Sequence, residues 1–183
     1  MHSQNILTRL LPLFSLGLAL PLEARDATDF NITSLSATFP YPGVYGVDSV
    51  NSFVEIALSY PDPASSDASL TTTCRVDWPA GTPPAATAWA ACADPDVVFR
   101  IASLTSTNNF SVGVFQQRSV DGEGLSATHV LTSNPGNPSD PNAYMFCLQK
   151  GKFNPLTCSL TGPYGSTPRI VEMTSVAVAE RPA

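Results

Sequence analysis

The stretch 52–60, SFVEIALSY, places Val54, Ile56, Leu58 and Tyr60 at every second position. The stretch 70–78, LTTTCRVDW, does the same with Leu70, Thr72, Cys74, Val76 and Trp78. Side chains that repeat every two residues share one face of an extended strand, whereas a buried helix face needs apolar residues three and four apart. The helical spacing is almost absent from this chain, so an all-β fold is expected. Further strands are expected at 29–39, 97–104, 110–116, 125–132, 144–148 and 170–179, with a short extended segment over 86–92. Turn chemistry separates them: PYPGVYGVD at 40–48, the Asp-Gly of VDGEG at 120–124 as a hairpin turn, and SNPGNPSDPN at 133–142 as a long surface loop. Short strands at regular intervals indicate a single compact antiparallel β-barrel or barrel-like sandwich.

Four cysteines, Cys74, Cys92, Cys147 and Cys158, punctuate that pattern. An even number in a secreted chain reads as a disulfide framework with three formal connectivities. Their spacing favours two local pairs, Cys74 with Cys92 and Cys147 with Cys158. No C-x-x-C or histidine-rich spacing accompanies them, so zinc is not expected.

The oxidising compartment that disulfides need is consistent with the N-terminus. A weakly basic start precedes the apolar run LLPLFSLGLALPL at 10–22, which is too short and too proline-broken for a membrane helix. Residues 1–24 read as a signal peptide, cut after Ala19, Ala24 or Arg25, with residues 26–183 as a single all-β domain. No later stretch is apolar for long enough to cross a bilayer, and a released, extracellular product is expected. Asn31-Ile32-Thr33 and Asn109-Phe110-Ser111 are N-glycosylation acceptor triplets, whereas Asn137-Pro138-Ser139 is blocked by its proline.

Charge narrows the partners. From Asp26 onward there are seven Lys or Arg against fourteen Asp or Glu, a net of −7. Phosphate lattices repel such a chain, so neither nucleic acid nor an anionic membrane is expected as a partner. Only His129 lies beyond the leader.

Catalytic constellations are sparse. Gly124-Leu125-Ser126-Ala127-Thr128 followed by His129 lacks the second glycine of a nucleophile elbow, and on a strand Ser126 and His129 face opposite sides. The carboxylate pairs Asp94 with Asp96 and Asp121 with Glu123 sit in ADPD and DGEG, where acidic side chains cap their own turns. Asp140 adds a further loop acid without any EF-hand pattern. The reading is non-enzymatic, with no metal and no cofactor.

The assembled elements resemble a known family. An early strand carries Phe30, Ile32 and Leu35, and a strand cysteine lies in TTTCRV. Then Trp89 to Cys92 forms W-x-x-C ahead of the aromatic strand VVFRI, and a C-terminal cysteine pair encloses a short loop. This is similar to the Alternaria major-allergen family of small secreted fungal proteins, which includes elicitors of plant defence. The resemblance spans nearly all of the chain after the leader and implies a compact β-barrel with two local disulfides. It also implies a non-enzymatic effector, elicitor or allergen-like role, with recognition of plant defence proteins or small phenolic ligands in some members. The family's name-giving allergen links two chains through an additional N-terminal cysteine. No cysteine lies between Asp26 and Thr73 here, so that covalent dimer is excluded and a monomer is expected.

Candidate surface-binding residues are Tyr41 and Tyr45, in a proline- and glycine-rich loop, and Lys150 and Lys152, which make the second disulfide loop basic in an acidic protein. Tyr164 belongs to the same aromatic pool. By alternation Trp78 faces the core, and Cys92 is expected to hold Trp89 against the fold. The expected function is extracellular protein recognition at a host or environmental surface. The alternative is a carbohydrate- or cell-wall-binding module, with a small phenolic-ligand binder and an extracellular hydrolase behind it.

Overall fold

A computed structural model describes residues 29–40, 51–65, 67–133, 140–160, 169–173 and 176–182. The expected signal peptide, the segment with Tyr41 and Tyr45, and Tyr164 lie outside the described residues. Eleven strands are present among them: β1 (Phe30–Phe39), β2 (Asn51–Pro61), β3 (Ser69–Pro79), β4 (Ala90–Ala91), β5 (Val97–Ser106) and β6 (Asn109–Gln117), then β7 (Glu123–Thr132), β8 (Phe146–Gln149), β9 (Leu156–Ser159), β10 (Val171–Met173) and β11 (Val176–Glu180). None of the described residues forms a helix long and apolar enough to cross a membrane.

The strands form two antiparallel sheets. One runs β3-β2-β1-β9-β8 with β10 also on β1, and the other runs β11-β7-β6-β5-β4. Their inner faces supply the core, including Phe30, Ile32, Val54, Ile56, Leu58, Phe99, Phe110, Val112 and Leu131, all at most 1% exposed. The alternation expected for β2 holds at Val54, Ile56, Leu58 and Tyr60. In β3, Thr72, Cys74 and Trp78 are buried, but Leu70 is 40% exposed.

Of the two architectures expected, the barrel-like sandwich is the one formed. At the β3/β4 margin the sheets are joined by isolated bonds, Ala93 N–H to Thr73 O (2.8 Å) and Asp94 N–H to Thr72 Oγ1 (2.9 Å), and no continuous ladder closes a barrel among the described residues. The Cys74–Cys92 disulfide crosses this margin from one sheet to the other. Cys147–Cys158 instead joins the paired strands β8 and β9 within one sheet. Both bonds match the local pairing expected from spacing.

β1 explains the uneven spacing of Phe30, Ile32 and Leu35. Its register against β2 shifts between Ile32 and Ser34. A bulge places two residues opposite one and turns the following side chains over, so Leu35, Ala37 and Phe39 continue the buried face. The same bulge separates the half of β1 that pairs with β10 from the half that pairs with β9.

Three elements differ from expectation. The extended segment at 86–92 contracts to the two residues of β4, because the disulfide loop must turn at Ala85–Ala88 to reach Cys92. The strand β9 was not expected. The strand foreseen at 170–179 divides into β10, paired with β1, and β11, paired with β7, so its two halves serve different sheets. The Asp-Gly hairpin is present: Gly122 has φ 91°, a left-handed conformation that glycine takes without a steric cost, between β6 and β7.

Candidate functional site

At one end of the sandwich the chain leaves β1 and β3, enters β2 and β9, and turns from β5 into β6. Between these strand ends lies a cleft of about 450 Å³, within the size range of small-molecule sites. Its apolar wall comes from Phe39, Trp78, Leu104 and Leu156, and its polar wall from Ser52, Thr82, Thr105, Ser106, Thr107 and Gln149. Among the described residues no charged side chain lines it. The cleft is therefore suited to neutral surfaces bearing hydroxyl groups, because an ionic group entering it would lose water without gaining a counter-charge.

Both disulfide loops supply walls. The first contributes Trp78, Gly81, Thr82 and Pro83, and the second contributes Gln149 and Leu156. Trp78 is 6% exposed and packs against Phe39 with ring centroids 6.1 Å apart, so it forms the floor. Gly81 has φ 79°, and the turn is fastened by Thr82 N–H and Oγ1–H, both donating to Pro79 O at 3.3 and 2.8 Å.

Trp89 lies on the outer face of the second sheet, half-buried, with the Arg100 guanidinium 4.4 Å from its ring centroid. Arg100 Nη1–H also donates to Ala86 O at 3.1 Å, fastening the returning half of the loop. Gly113, paired with Arg100 across the sheet, leaves the room: a Cβ there would lie 3.1 Å from Arg100 Nε and 3.6 Å from Trp89 Cη2. The expectation that Trp89 is held against the fold is met, although no spacing in the sequence identifies Arg100 and Gly113 as its seat.

The sequence candidates separate. Lys150 and Lys152 are exposed at the tip of the β8–β9 hairpin, next to the cleft wall at Gln149. Lys152 Nζ sits 5.6 Å from the Phe153 ring centroid. Asn31 is half-buried in β1, and Asn109 is half-buried at the start of β6. Within those triplets Thr33 Oγ1–H donates to Ala57 O at 3.3 Å, and Ser111 is buried with its hydroxyl 2.6 Å from that of Ser103.

Ser126 and His129 are not brought together. Ser126 Oγ–H donates to Val114 O at 3.2 Å, while the His129 ring packs edge-on against Tyr144 with centroids 5.7 Å apart. Burial lowers the His129 pKa from its ordinary 6.5. Asp94 and Asp96 lie at the opposite end from the cleft, and Asp94 acts as the turn cap its context suggests. Its Oδ1 accepts from Asp96 N–H at 2.9 Å, and its Oδ2 accepts from the buried Tyr60 hydroxyl. Burial, and then that hydrogen bond, push the Tyr60 phenol far above its ordinary value. Among the described residues no group of three or more His, Cys, Asp or Glu side chains could hold a metal ion.

The cleft itself was not foreseen from sequence. Its parts come from six strand ends and only strand register assembles them. Compared with known proteins, the chain matches no family model, no curated protein and no solved structure.

Proposed function

We propose that this is a secreted, non-enzymatic recognition protein of the elicitor and allergen-like kind, acting extracellularly on a host or environmental protein. The observation that carries the reading is the convergence of both disulfide loops on one end of the sandwich, where they wall a cleft whose described lining is uncharged. Rigid loops bind with less ordering entropy to lose, so covalent clasps on both walls suit a preorganised recognition surface. The disulfides are consistent with an oxidising, secretory route. The side chains closest to catalytic patterns are engaged in the fold: Ser126 with a strand carbonyl, Asp94 with Tyr60 and its own turn.

Infiltration of the folded protein into leaf tissue tests this reading. A cell-death or oxidative response that disappears when the disulfides are reduced and alkylated is the expected result. No response from the folded protein, together with turnover of an ester, peptide or glycoside that stops in Ser126→Ala or Asp96→Asn, would replace it with a hydrolase.

One observation favours a second reading, a carbohydrate-binding module. Hydroxyl and amide groups from Ser52, Thr82, Ser106 and Gln149 rim a cleft whose described lining is uncharged and whose floor is aromatic, a combination that suits a sugar ring. Retention on insoluble chitin, glucan or cellulose that is lost in Gln149→Ala would establish it.

A further inference from the structure

The β8–β9 hairpin has features that the cleft does not use. β8 is the last strand of its sheet, and no described strand pairs with its outer side. Cys147 and Cys158 face each other with Cα atoms 4.0 Å apart, the close spacing of a non-hydrogen-bonded antiparallel pair. The main-chain N–H and C=O of Cys147, and by the two-residue repeat those of Gln149, therefore point away from β9. A short row of donors and acceptors is presented at the sheet margin.

Beside that row the side chains are apolar and basic. Leu148 is 42% and Phe153 50% exposed, and Lys150 and Lys152 are exposed between them. The only ion pairs among the described residues are those of Arg75 with Glu55 and Asp77, so neither lysine is neutralised by a described acidic group. The tip is held in shape from within. Asn154 Nδ2–H donates to Lys150 O at 2.8 Å, Gln149 Nε2–H to Asn154 O at 3.0 Å, and Thr157 Oγ1–H to Leu148 O at 3.2 Å. Gly151, at φ 132°, allows the turn.

We propose that β8 and the hairpin tip dock an extended acidic segment of a partner protein, which adds to the sheet as a further strand. Its carboxylates meet Lys150 and Lys152, and an apolar side chain covers Leu148 or Phe153. Strand addition draws affinity from main-chain bonds and specificity from alternating side chains. Charge selects the occupant. A second copy presenting the same edge would set lysine against lysine, and edge lysines are a known block to such self-pairing. An anionic membrane would gain only about 1 kcal/mol from each lysine, against the repulsion of a chain carrying −7 beyond its leader. An acidic peptide is attracted at this tip and repelled by the rest of the surface, which fixes where it lands.

The inference rests on the protein-recognition reading above. The test titrates the folded, disulfide-intact protein with a short labelled peptide alternating glutamate and valine, with glutamine–valine and lysine–valine peptides as controls. Saturable binding of the glutamate peptide alone is expected, weakened by added salt. It should fall about tenfold in Lys150→Glu/Lys152→Glu, the sum of two exposed ion pairs. Amide exchange at Cys147 and Gln149 should slow when the peptide is bound. Unchanged circular dichroism of the variant shows that the loss is not unfolding. Equal binding of all three peptides, binding unaffected by the double reversal, or no protection at β8 would overturn the proposal. So would lysine-dependent self-association in sedimentation or lysine-dependent binding to phosphatidylserine vesicles, since either would make the occupant a second copy or a membrane. Failure of the glutamate peptide to bind the unaltered protein while its leaf response is intact would remove this inference and leave the recognition reading standing.

Discussion

The two disulfide loops are built alike and used differently. Each pairs cysteines near in sequence, 18 and 11 positions apart, and each contributes a wall to the same cleft. The first clasp spans the two sheets, and its loop lies down on the fold: Trp78 is in the core and Trp89 is seated between Arg100 and the space above Gly113. The second clasp stays inside one sheet, and its loop stands away from the fold, with Leu148 and Phe153 exposed. A disulfide fixes only the ends of a loop. What lies between them, two tryptophans with a prepared surface or two lysines around a glycine, decides whether the loop becomes packing or a projecting surface.

The largest expected effect comes from opening the clasps. Loop-closure entropy treats them almost equally, at about 3 kcal/mol each. If spanning the sheets matters, Cys74→Ala/Cys92→Ala should cost at least about 1 kcal/mol more than Cys147→Ala/Cys158→Ala, because it also frees the seat of Trp89. Urea unfolding of the two double variants measures this directly. Equal midpoints and slopes would mean that the intersheet position adds nothing to chain entropy.

Aromatic truncation sharpens the contrast at a smaller scale. Trp89→Ala should cost about 2 kcal/mol, from half-buried ring area and the Arg100 contact. Phe153→Ala, at 50% exposure, should stay within about 0.5 kcal/mol. Gly113→Ala falls between them, at about 1 kcal/mol, since its Cβ would push Arg100 from the Trp89 ring. Near-ultraviolet circular dichroism should register the displaced indole in Gly113→Ala. An unchanged spectrum with unchanged stability would show that Trp89 is not seated as described.

How far the sequence reveals this arrangement depends on the range of the interactions involved. Local alternation reads out β2 and most of β3, and Asp-Gly reads out the β6–β7 turn, because a few adjacent residues determine them. β9 escaped because LTCS is four residues long and follows Pro155, which reads as loop. The seat of Trp89 is not legible in the sequence because it comes from residues 100 and 113, which meet only when β5 and β6 pair. The cleft is the extreme case, since residues from Phe39 to Leu156 converge there through register alone. Lys150 and Lys152 were legible as a basic loop, but that their loop ends an open sheet edge depends on the position of β8.

Acid provides the smallest and most selective difference between the loops. The second loop is approached through Asn142–Met145, held to β7 by Thr132 N–H donating to Asn142 O (2.8 Å) and Met145 N–H donating to Thr132 O (3.0 Å). Tyr144 in that approach packs on His129, whose Nε2 is buried without a hydrogen-bond partner among the described residues. Burial holds the folded imidazole below its ordinary 6.5, so the unfolded chain takes up the proton first as pH falls. Stability is complete above 6.5 and declines from there toward the lowered folded value. His129→Gln should remove that part of the pH dependence. Hydrogen exchange compared at about pH 7.5 and about pH 5.5, a range that brackets the histidine titration, should show Tyr144 to Cys147 loosening in acid while Trp89 and Cys92 stay protected. Loosening of both segments together would mean that the two loops share one cooperative unit, and the difference between them would then be one of surface and not of stability.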